Sequence, residues 1–244
     1  METARGCIAR RMQPDFHHRL LIVVGFIVMA SAVHAAQAPA GRGQAASTPP
    51  AATRPPLLFK EEWREPRFEG ERTDVNQRFT PYVVTNERIE AKLYGSDSHV
   101  IRAAQHEGRI DLWTGMATSP VAVTLRDKRN YVDLTGLARL RWIVRTNAIH
   151  TLYPVVKLAD GTMIVGNRGV STDGEFLQVE VAFGGMKWFK LDPAKVVVLL
   201  EVVNPDLSKV DEVGLATLAP AGGHGIAGSA NFSTVELFAK PVPR

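Results

Sequence analysis

Short stretches in which apolar and polar residues alternate recur through most of this chain. The clearest lies at 139–145, where one set of alternate positions is apolar and the other carries three arginines: Leu140, Trp142 and Val144 against Arg139, Arg141, Ile143 and Arg145. Successive side chains of a β-strand point to opposite faces. The pattern therefore predicts a half-buried antiparallel strand with Trp142 in the core and the arginines on the other face.

The same alternation, punctuated by Gly, Pro, Asn and Asp, predicts twelve short strands and almost no helix. The dipeptide Asp160-Gly161 between two apolar runs indicates a tight hairpin, because both residues tolerate positive φ. The run 196–200, Val-Val-Val-Leu-Leu, is interpreted as a buried strand. We expect strands at 81–85, 89–94, 101–105, 110–114, 121–125, 137–145, 152–158, 162–165, 176–183, 196–203, 211–218 and 235–239. Such a chain is an all-β domain of the β-sandwich or jelly-roll class.

The first 35 residues have the composition of a bacterial export signal. Four arginines precede the apolar run 20–30, and Val33-His34-Ala35 offers small residues for cleavage after Ala35. The apolar run is shorter than the roughly 20 residues of a membrane span, so we expect no stable membrane insertion after cleavage. The single cysteine, Cys7, lies in the signal, and the expected location is the periplasm or the cell exterior.

Residues 36–56 are rich in Ala, Pro, Gly, Gln and Thr, which predicts a disordered linker before one domain at 57–244. The net charge of the whole chain is +4. Two units of that charge belong to the signal and two to Arg42 and Arg54 of the linker, which leaves the domain neutral. A neutral domain argues against nucleic acid as a partner, because nucleic-acid-binding domains carry a basic face.

Three segments, in order, resemble galactose-binding-like jelly rolls, the fold of many carbohydrate-binding modules. The run 131–145, with its Asp133-Leu-Thr-Gly136 turn, resembles their entry strand, 204–214 resembles a later strand, and 232–238 stands where their closing strand lies. The resemblance covers 131–240 and implies a carbohydrate-binding-like sandwich of a secreted bacterial protein. Such modules commonly accompany polysaccharide-degrading enzymes, whereas for this chain we expect no attached enzyme domain.

A sugar site combines an aromatic surface with amide, carboxylate or guanidinium groups. Among the four tryptophans, Trp188 follows Gly184-Gly185 in an apparent connection between strands, where Phe189 can supply the core contact. We therefore expect Trp188 to be an exposed, ligand-binding aromatic. Trp113 fits either the core or a site, and Trp63 is expected to clamp the N-terminal segment onto the sandwich.

Polar candidates lie on the arginine-bearing strand and close to it. Arg141 and Arg145 could bind sugar hydroxyls or a carboxylate with their forked guanidinium groups, with Tyr153 and His150 near them in sequence. The alternative is a solvated face paired with cross-strand acids. The glycine-rich stretch 220–228 is expected to be a mobile loop bordering the site, with His224 at its tip.

Carboxylates raise a second possibility, an acid–base pair drawn from Asp173, Glu175 and Asp211. No histidine or cysteine spacing predicts a metal site, no calcium loop is present, and no cofactor motif is found. No catalytic residue is assigned.

Three functions therefore stay open: a secreted non-catalytic carbohydrate-binding module, which we favour, an enzyme of glycan metabolism, and an envelope protein that binds a protein partner. A flat aromatic patch would favour the first, a deep pocket with two carboxylates the second, and an uncovered sheet edge the third.

Overall fold

The structure, a computed structural model, describes residues 53–244. The predicted export signal at 1–35 and most of the predicted linker at 36–56 lie outside the described residues. Fifteen strands and two single-turn 3₁₀ segments, Pro81–Val83 and Ser98–Val100, make up the described regular structure. Among these residues no helix is long and apolar enough to cross a bilayer.

All strand pairs are antiparallel, and they form two sheets, which confirms the predicted all-β sandwich. The six-stranded sheet has the order β10-β7-β14-β4-β3, with β1 beside β14. Its strands are β1 (Leu57–Glu61), β3 (Arg102–His106), β4 (Arg109–Trp113), β7 (Arg139–Thr146), β10 (Leu177–Ala182) and β14 (Ala230–Phe238).

The nine-stranded sheet has the order β12-β11-β9-β8-β13-β5-β2, and β6 pairs with both β13 and β15. Its strands are β2 (Ile89–Tyr94), β5 (Val121–Asp127), β6 (Asn130–Asp133), β8 (Leu152–Leu158), β9 (Met163–Gly166), β11 (Trp188–Asp192), β12 (Val197–Val202), β13 (Val210–Thr217) and β15 (Lys240–Pro243).

The main hydrophobic core lies between the sheets, where the inward positions of β7 meet those of β5 and β13. Trp142 is 1% exposed and its ring lies 5.7 Å from that of Phe232 on β14, so its predicted core position is confirmed. Trp63, 5% exposed, donates its indole N–H to the carbonyl of Ser233 at 2.9 Å, which fixes the segment after β1 to the sandwich as predicted.

A second, smaller apolar cluster lies on the other side of the nine-stranded sheet. It comprises Ala122, Val155, Met163, Val165, Leu191, Val196 and Ala216. The turn between β11 and β12 reaches this face, because the N–H of Gly95 at the end of β2 donates to the carbonyl of Pro193 at 3.1 Å. Val196, the last residue of this turn, is therefore buried, whereas strand β12, which follows the turn, is exposed.

One predicted strand is absent, and one is present but was wrongly predicted to be buried. The segment 81–85 begins with a 3₁₀ turn that Pro81 starts, because its fixed φ suits the first turn of a helix. The run 196–203 does contain a strand, β12, but this is an edge strand whose aliphatic side chains are exposed rather than buried. Strands β1, β6, β11 and β15 were not predicted.

Candidate functional site

The outward side of the six-stranded sheet carries the predicted arginines. Along β7 the residues alternate between buried and partly exposed, which puts Arg139, Arg141, Ile143 and Arg145 on the outer side. We call this surface, together with the outward residues of the adjacent strands, the arginine face: Lys60, Arg139, Arg141, Ile143, Arg145, Gln178, Glu180, Glu236 and Phe238. Arg141 and Arg145 are thus placed on one surface, as predicted.

Arg141 lies at the centre of a row of charges that the strand register creates. Glu180 on β10 and Glu236 on β14 are both directly opposite Arg141 on β7. The guanidinium nitrogens lie 3.3 Å from Glu180 Oε2 and 3.1 Å from Glu236 Oε2. Cross-strand pairing with acids, the alternative raised above, is therefore present on this face.

Aromatic rings lie beside the arginines. The guanidinium of Arg141 lies 4.9 Å from the ring centre of Phe238, and that of Arg54 lies 3.9 Å from it. Phe176 has the same relation to Arg109 and Arg145, each at 4.9 Å. These cation–π contacts hold the guanidinium groups in fixed positions above apolar ring surface. Arg54 belongs to the predicted linker, yet it also forms an ion pair with Glu180 at 2.8 Å.

A cavity of about 190 Å³ opens beside Arg141. With the exception of Ile143, every residue lining it offers a hydrogen-bond donor, an acceptor or both: Lys60, Glu62, Arg141, Ile143, Gln178, Thr234 and Glu236. The cavity is smaller than the roughly 300–1,000 Å³ of a site that encloses a small molecule. It is a shallow polar cleft on a sheet surface.

One end of the arginine face carries a half-buried tryptophan. Register pairs align Arg102, Trp113, Asn231 and Arg145 across β3, β4, β14 and β7. The indole N–H of Trp113 donates to Ser229 Oγ at 3.0 Å, and the Arg102 guanidinium lies 4.3 Å from the ring centre. Trp113 is therefore a fixed, partly covered ring rather than a flat exposed platform.

The same end contains a histidine–aspartate pair that sequence reasoning missed. The Asp111 side chain is fully buried, and its two oxygens contact His106 Nδ1 at 2.9 Å and Asn231 Nδ2 at 2.8 Å. This arrangement fixes the imidazole, which is 31% exposed, with its other nitrogen turned away from Asp111. The short spacing between His106 and Asp111, across a two-residue turn, could have indicated their contact from the sequence. The contact with Asn231 could not be predicted in this way, because Asn231 lies 120 residues from Asp111.

Trp188, the predicted exposed aromatic, is buried. It begins β11, is 3% exposed and stacks on Phe183 with ring centres 6.4 Å apart. Phe189, which we expected in the core, points to the other side of the sheet, toward the smaller cluster. The error is one of register, since a shift of one residue exchanges the two faces of a strand.

The other predicted site residues lie apart from Arg141 and Arg145. Tyr153 is on β8 and packs on the outer side of the nine-stranded sheet. His224 is exposed in the loop 220–228 with φ of 47°, and this loop borders the arginine face at Trp113, next to Gly225. His150 is 1% exposed and its Nδ1 lies 2.8 Å from Thr217 Oγ1.

The carboxylates considered for acid–base chemistry lie in two different parts of the fold. Asp173 and Glu175 are exposed in a loop whose Gly174 N–H donates to the Thr146 carbonyl. Asp211 is on β13 of the other sheet, where Arg126 and Arg244 bind it at 3.0 and 2.6 Å. Although burial acts to raise its pKa, these two arginines hold the pKa of Asp211 below its usual value.

A second buried carboxylate lies on the outer side of the nine-stranded sheet. The Glu212 side chain is fully buried and accepts hydrogen bonds from Tyr94 at 2.8 Å, Thr124 at 2.6 Å and Lys157 at 3.3 Å. Burial, and then the negative charge of Glu212, raise the pKa of the Tyr94 phenol. The phenol therefore stays protonated as a donor to Glu212. Across residues 53–244, no group of three or more His, Cys, Asp and Glu side chains is arranged to hold a metal ion.

Comparison with known proteins finds similarity among solved structures alone. No family model matches the chain, and neither does any curated protein. Among solved structures, similarity is found to the family 11 carbohydrate-binding module of Clostridium thermocellum in complex with a β-1,3-1,4-mixed-linked tetrasaccharide. The two are 8% identical over 69% of this chain and 97% of the module, with a TM-score of 0.37.

Two further structures show a likeness of the same order. Arcelin-5, a lectin-like defense protein from Phaseolus vulgaris, is 9% identical over 64% of this chain and 94% of its own, with a TM-score of 0.35. PfGH50B is 9% identical over 64% of this chain, with a TM-score of 0.35, and the match spans only 23% of PfGH50B. Likeness at this level says nothing about the ligand or activity of this chain.

Proposed function

We propose that this protein is an exported, non-catalytic binding module that recognises a carbohydrate chain through its arginine face. The observation that carries the proposal is the polar cleft beside Arg141, where cationic, amide, hydroxyl and carboxylate groups alternate around about 190 Å³. Each sugar hydroxyl is both a donor and an acceptor, so a site for several hydroxyls must present both kinds of group at close spacing.

The surroundings of the cleft favour a surface-bound chain over an enclosed small molecule. The cleft is shallow, and the same sheet surface continues past Ile143 to Arg145, Asn231 and Trp113. The rings of Phe238 and Phe176 and the ring of Trp113 add apolar surface at its two ends. A polysaccharide lying across β10, β7 and β14 would contact the cleft with one unit and these outer groups with the next.

Export is part of the proposal. It is supported by the basic start, the apolar run 20–30 and the small residues before the predicted cleavage site after Ala35. A module outside the cytoplasm would meet polysaccharides of the envelope or the surroundings.

The test is binding of the full-length chain to a panel of insoluble polysaccharides, followed by calorimetry with oligosaccharides of the best one. Arg141→Gln is expected to weaken binding about tenfold or more, because a charge-assisted hydrogen bond contributes roughly 1.5–3 kcal/mol. Arg126→Gln is the matched control. Arg126 also lies on a sheet surface between two carboxylates, Glu90 at 3.6 Å and Asp211 at 3.0 Å, but on the other sheet.

Equal affinity of the two variants would remove the arginine face as the site. Absence of binding to every polysaccharide tested would overturn the carbohydrate function itself.

A further inference from the structure

The edge strand β12 exposes an unusual amount of aliphatic surface. Within residues 53–244 it pairs with β11 alone and ends the nine-stranded sheet. Leu200 is 80% exposed, Leu199 49%, Val197 46% and Val198 40%, and Val203 just after the strand is 77% exposed. Because successive residues point to opposite sides of a strand, both sides of β12 are uncovered.

Two other end strands, β2 and β10, carry charged residues that oppose pairing with a further strand, and the central part of β12 does not. The end strand β2 carries Glu90 and Lys92, and β10 carries Glu180, which follows the common use of charged side chains on edges. In β12, four consecutive aliphatic residues precede the single charged residue, Glu201. An open edge of this composition is a template for another strand.

We propose that β12 pairs with β12 of a second copy of this chain, antiparallel and about a two-fold axis, so that the two nine-stranded sheets become continuous. Along a strand, the N–H and C=O groups of every second residue point to the same neighbouring strand. In an antiparallel pair, two opposite residues must both point toward each other or both point away. When the two strands are identical and related by a two-fold axis, this condition is met only if one residue lies opposite its own counterpart, which leaves a small set of registers.

The extent of the strand leaves two of these registers. Val196 has a φ of 54°, which ends the extended backbone at Val197, and β12 continues to Val202. Five-residue pairings centred on Leu199 or on Leu200 both fit these bounds, and the charges at the two strand ends favour the register centred on Leu199. Val197 then faces Glu201 of the other copy, and Val198 faces Leu200.

Charge complementarity identifies the second copy as the occupant. Lys195 and Glu201 are both exposed, and within residues 53–244 neither forms an ion pair. In the register centred on Leu199, Glu201 of one copy faces Val197 of the other, and the exposed Lys195 lies in the turn 193–196 directly before Val197. The positive charge at one end of each strand is therefore placed at the same end of the interface as the negative charge of the other copy. The strand therefore meets its own complement: aliphatic residues in the middle and opposite charges at both ends.

This pairing is independent of the carbohydrate proposal, since the arginine face belongs to the other sheet. A closed two-fold contact would use the open edge once, because an isologous interface stops at two copies.

The test is sedimentation velocity of the full-length chain over a range of concentrations. The wild type is expected to show a monomer–dimer equilibrium, and Leu199→Lys is expected to raise the dissociation constant at least tenfold. Ile226→Lys is the matched control, because Ile226 is 85% exposed in the loop 220–228, away from β12, and this variant is expected to dimerise like the wild type.

Charge reversal tests the register. Lys195→Glu and Glu201→Lys are each expected to weaken the dimer severalfold, and the double variant is expected to restore it. Circular dichroism of each variant checks that the fold is retained.

Four results would overturn the proposal: a wild type that stays monomeric, assembly that continues beyond two copies, a dimer unaffected by Leu199→Lys, or a double charge reversal no better than the single ones. If the chain associated through its first 52 residues instead, the dimer would be unaffected by Leu199→Lys.

Discussion

Trp63 and Trp142 donate their indole N–H groups to the same acceptor, the carbonyl oxygen of Ser233, at 2.9 and 2.8 Å. Ser233 lies where the register of β14 against β7 shifts, between Phe232 and Val235. At this irregularity two buried indole groups supply hydrogen bonds to the carbonyl. The segment after β1 and the central strand β7 are thereby tied to one point of β14.

Trp63→Phe is expected to lower the free energy of unfolding by about 1–2 kcal/mol, from one lost hydrogen bond and a smaller buried ring. Trp142 would still satisfy the carbonyl, so the loss should stay moderate. Urea unfolding measures it. Trp142→Phe is the comparison and should cost more, because Trp142 also packs on Phe232. An unchanged stability of Trp63→Phe would show that the shared carbonyl contributes nothing.

Tyr94→Phe is expected to destabilise the domain by roughly 1.5–3 kcal/mol, because the buried carboxylate of Glu212 loses one of its donors. Tyr131→Phe is the matched control: the Tyr131 ring packs under Arg244 at 4.3 Å, and its hydroxyl makes no hydrogen bond within residues 53–244. Thermal unfolding at neutral pH compares the two.

The raised pKa of Tyr94 gives a second measurement on the same variant. Because burial and Glu212 oppose its ionisation, removing Tyr94 should leave the phenolate absorbance between about pH 10 and 11 unchanged. If Tyr94→Phe showed less phenolate absorbance than the wild type in this range, by the amount that one tyrosine contributes, the buried Tyr94–Glu212 contact would be contradicted.

His150 is expected to make stability depend on pH. Burial lowers its pKa below the ordinary value of 6.5. In the window between the lowered pKa and 6.5, the unfolded chain binds a proton that the folded chain does not. The stability from neutral His150 is therefore complete above that window and is lost as the pH falls through it.

Thr217 Oγ1 donates to the Ala219 carbonyl, so His150 Nδ1 is the protonated nitrogen and its buried Nε2 has no partner in the described residues. His150→Gln should reduce the loss of melting temperature between pH 8 and pH 5.5. His224→Gln, which removes an exposed imidazole, is the control. If the melting temperature of His150→Gln depended on pH as that of the wild type does, His150 would not be the group responsible.

Gly214→Ala is expected to destabilise the domain by about 1–3 kcal/mol or more, as overpacking of a rigid interior does. A Cβ at Gly214 would lie 2.0 Å from the carbonyl oxygen of Val123, a backbone atom of β5 that cannot move without breaking the ladder. Gly184→Ala is the control, because the nearest atom to its Cβ would be 3.9 Å away. Both are measured by chemical unfolding, and equal effects would show that β5 and β13 can separate.

The sequence by itself determined where most strands lie and which way the central one faces. Strands β2 and β8 occupy the predicted residues, and the hairpin at Asp160-Gly161 forms with Gly161 at φ of 89°. In β7 the alternation placed Trp142 inside and Arg141 outside correctly. These features follow from side-chain direction along one strand and from local turn geometry, which a sequence contains directly.

Tertiary structure alone decided which strands are edges, which face of a strand is covered and which distant residues meet. Val197–Val202 has the composition of a buried strand, yet it lies at a sheet edge with β11 as its one partner among residues 53–244, and its side chains are exposed on both faces. Trp188 rather than Phe189 enters the core because pairing with β9 and β12 fixes the register. The contact of Asp111 with Asn231 depends on β14 lying beside β4. Each of these outcomes is set by pairing between strands far apart in the chain, and no local pattern records the partner.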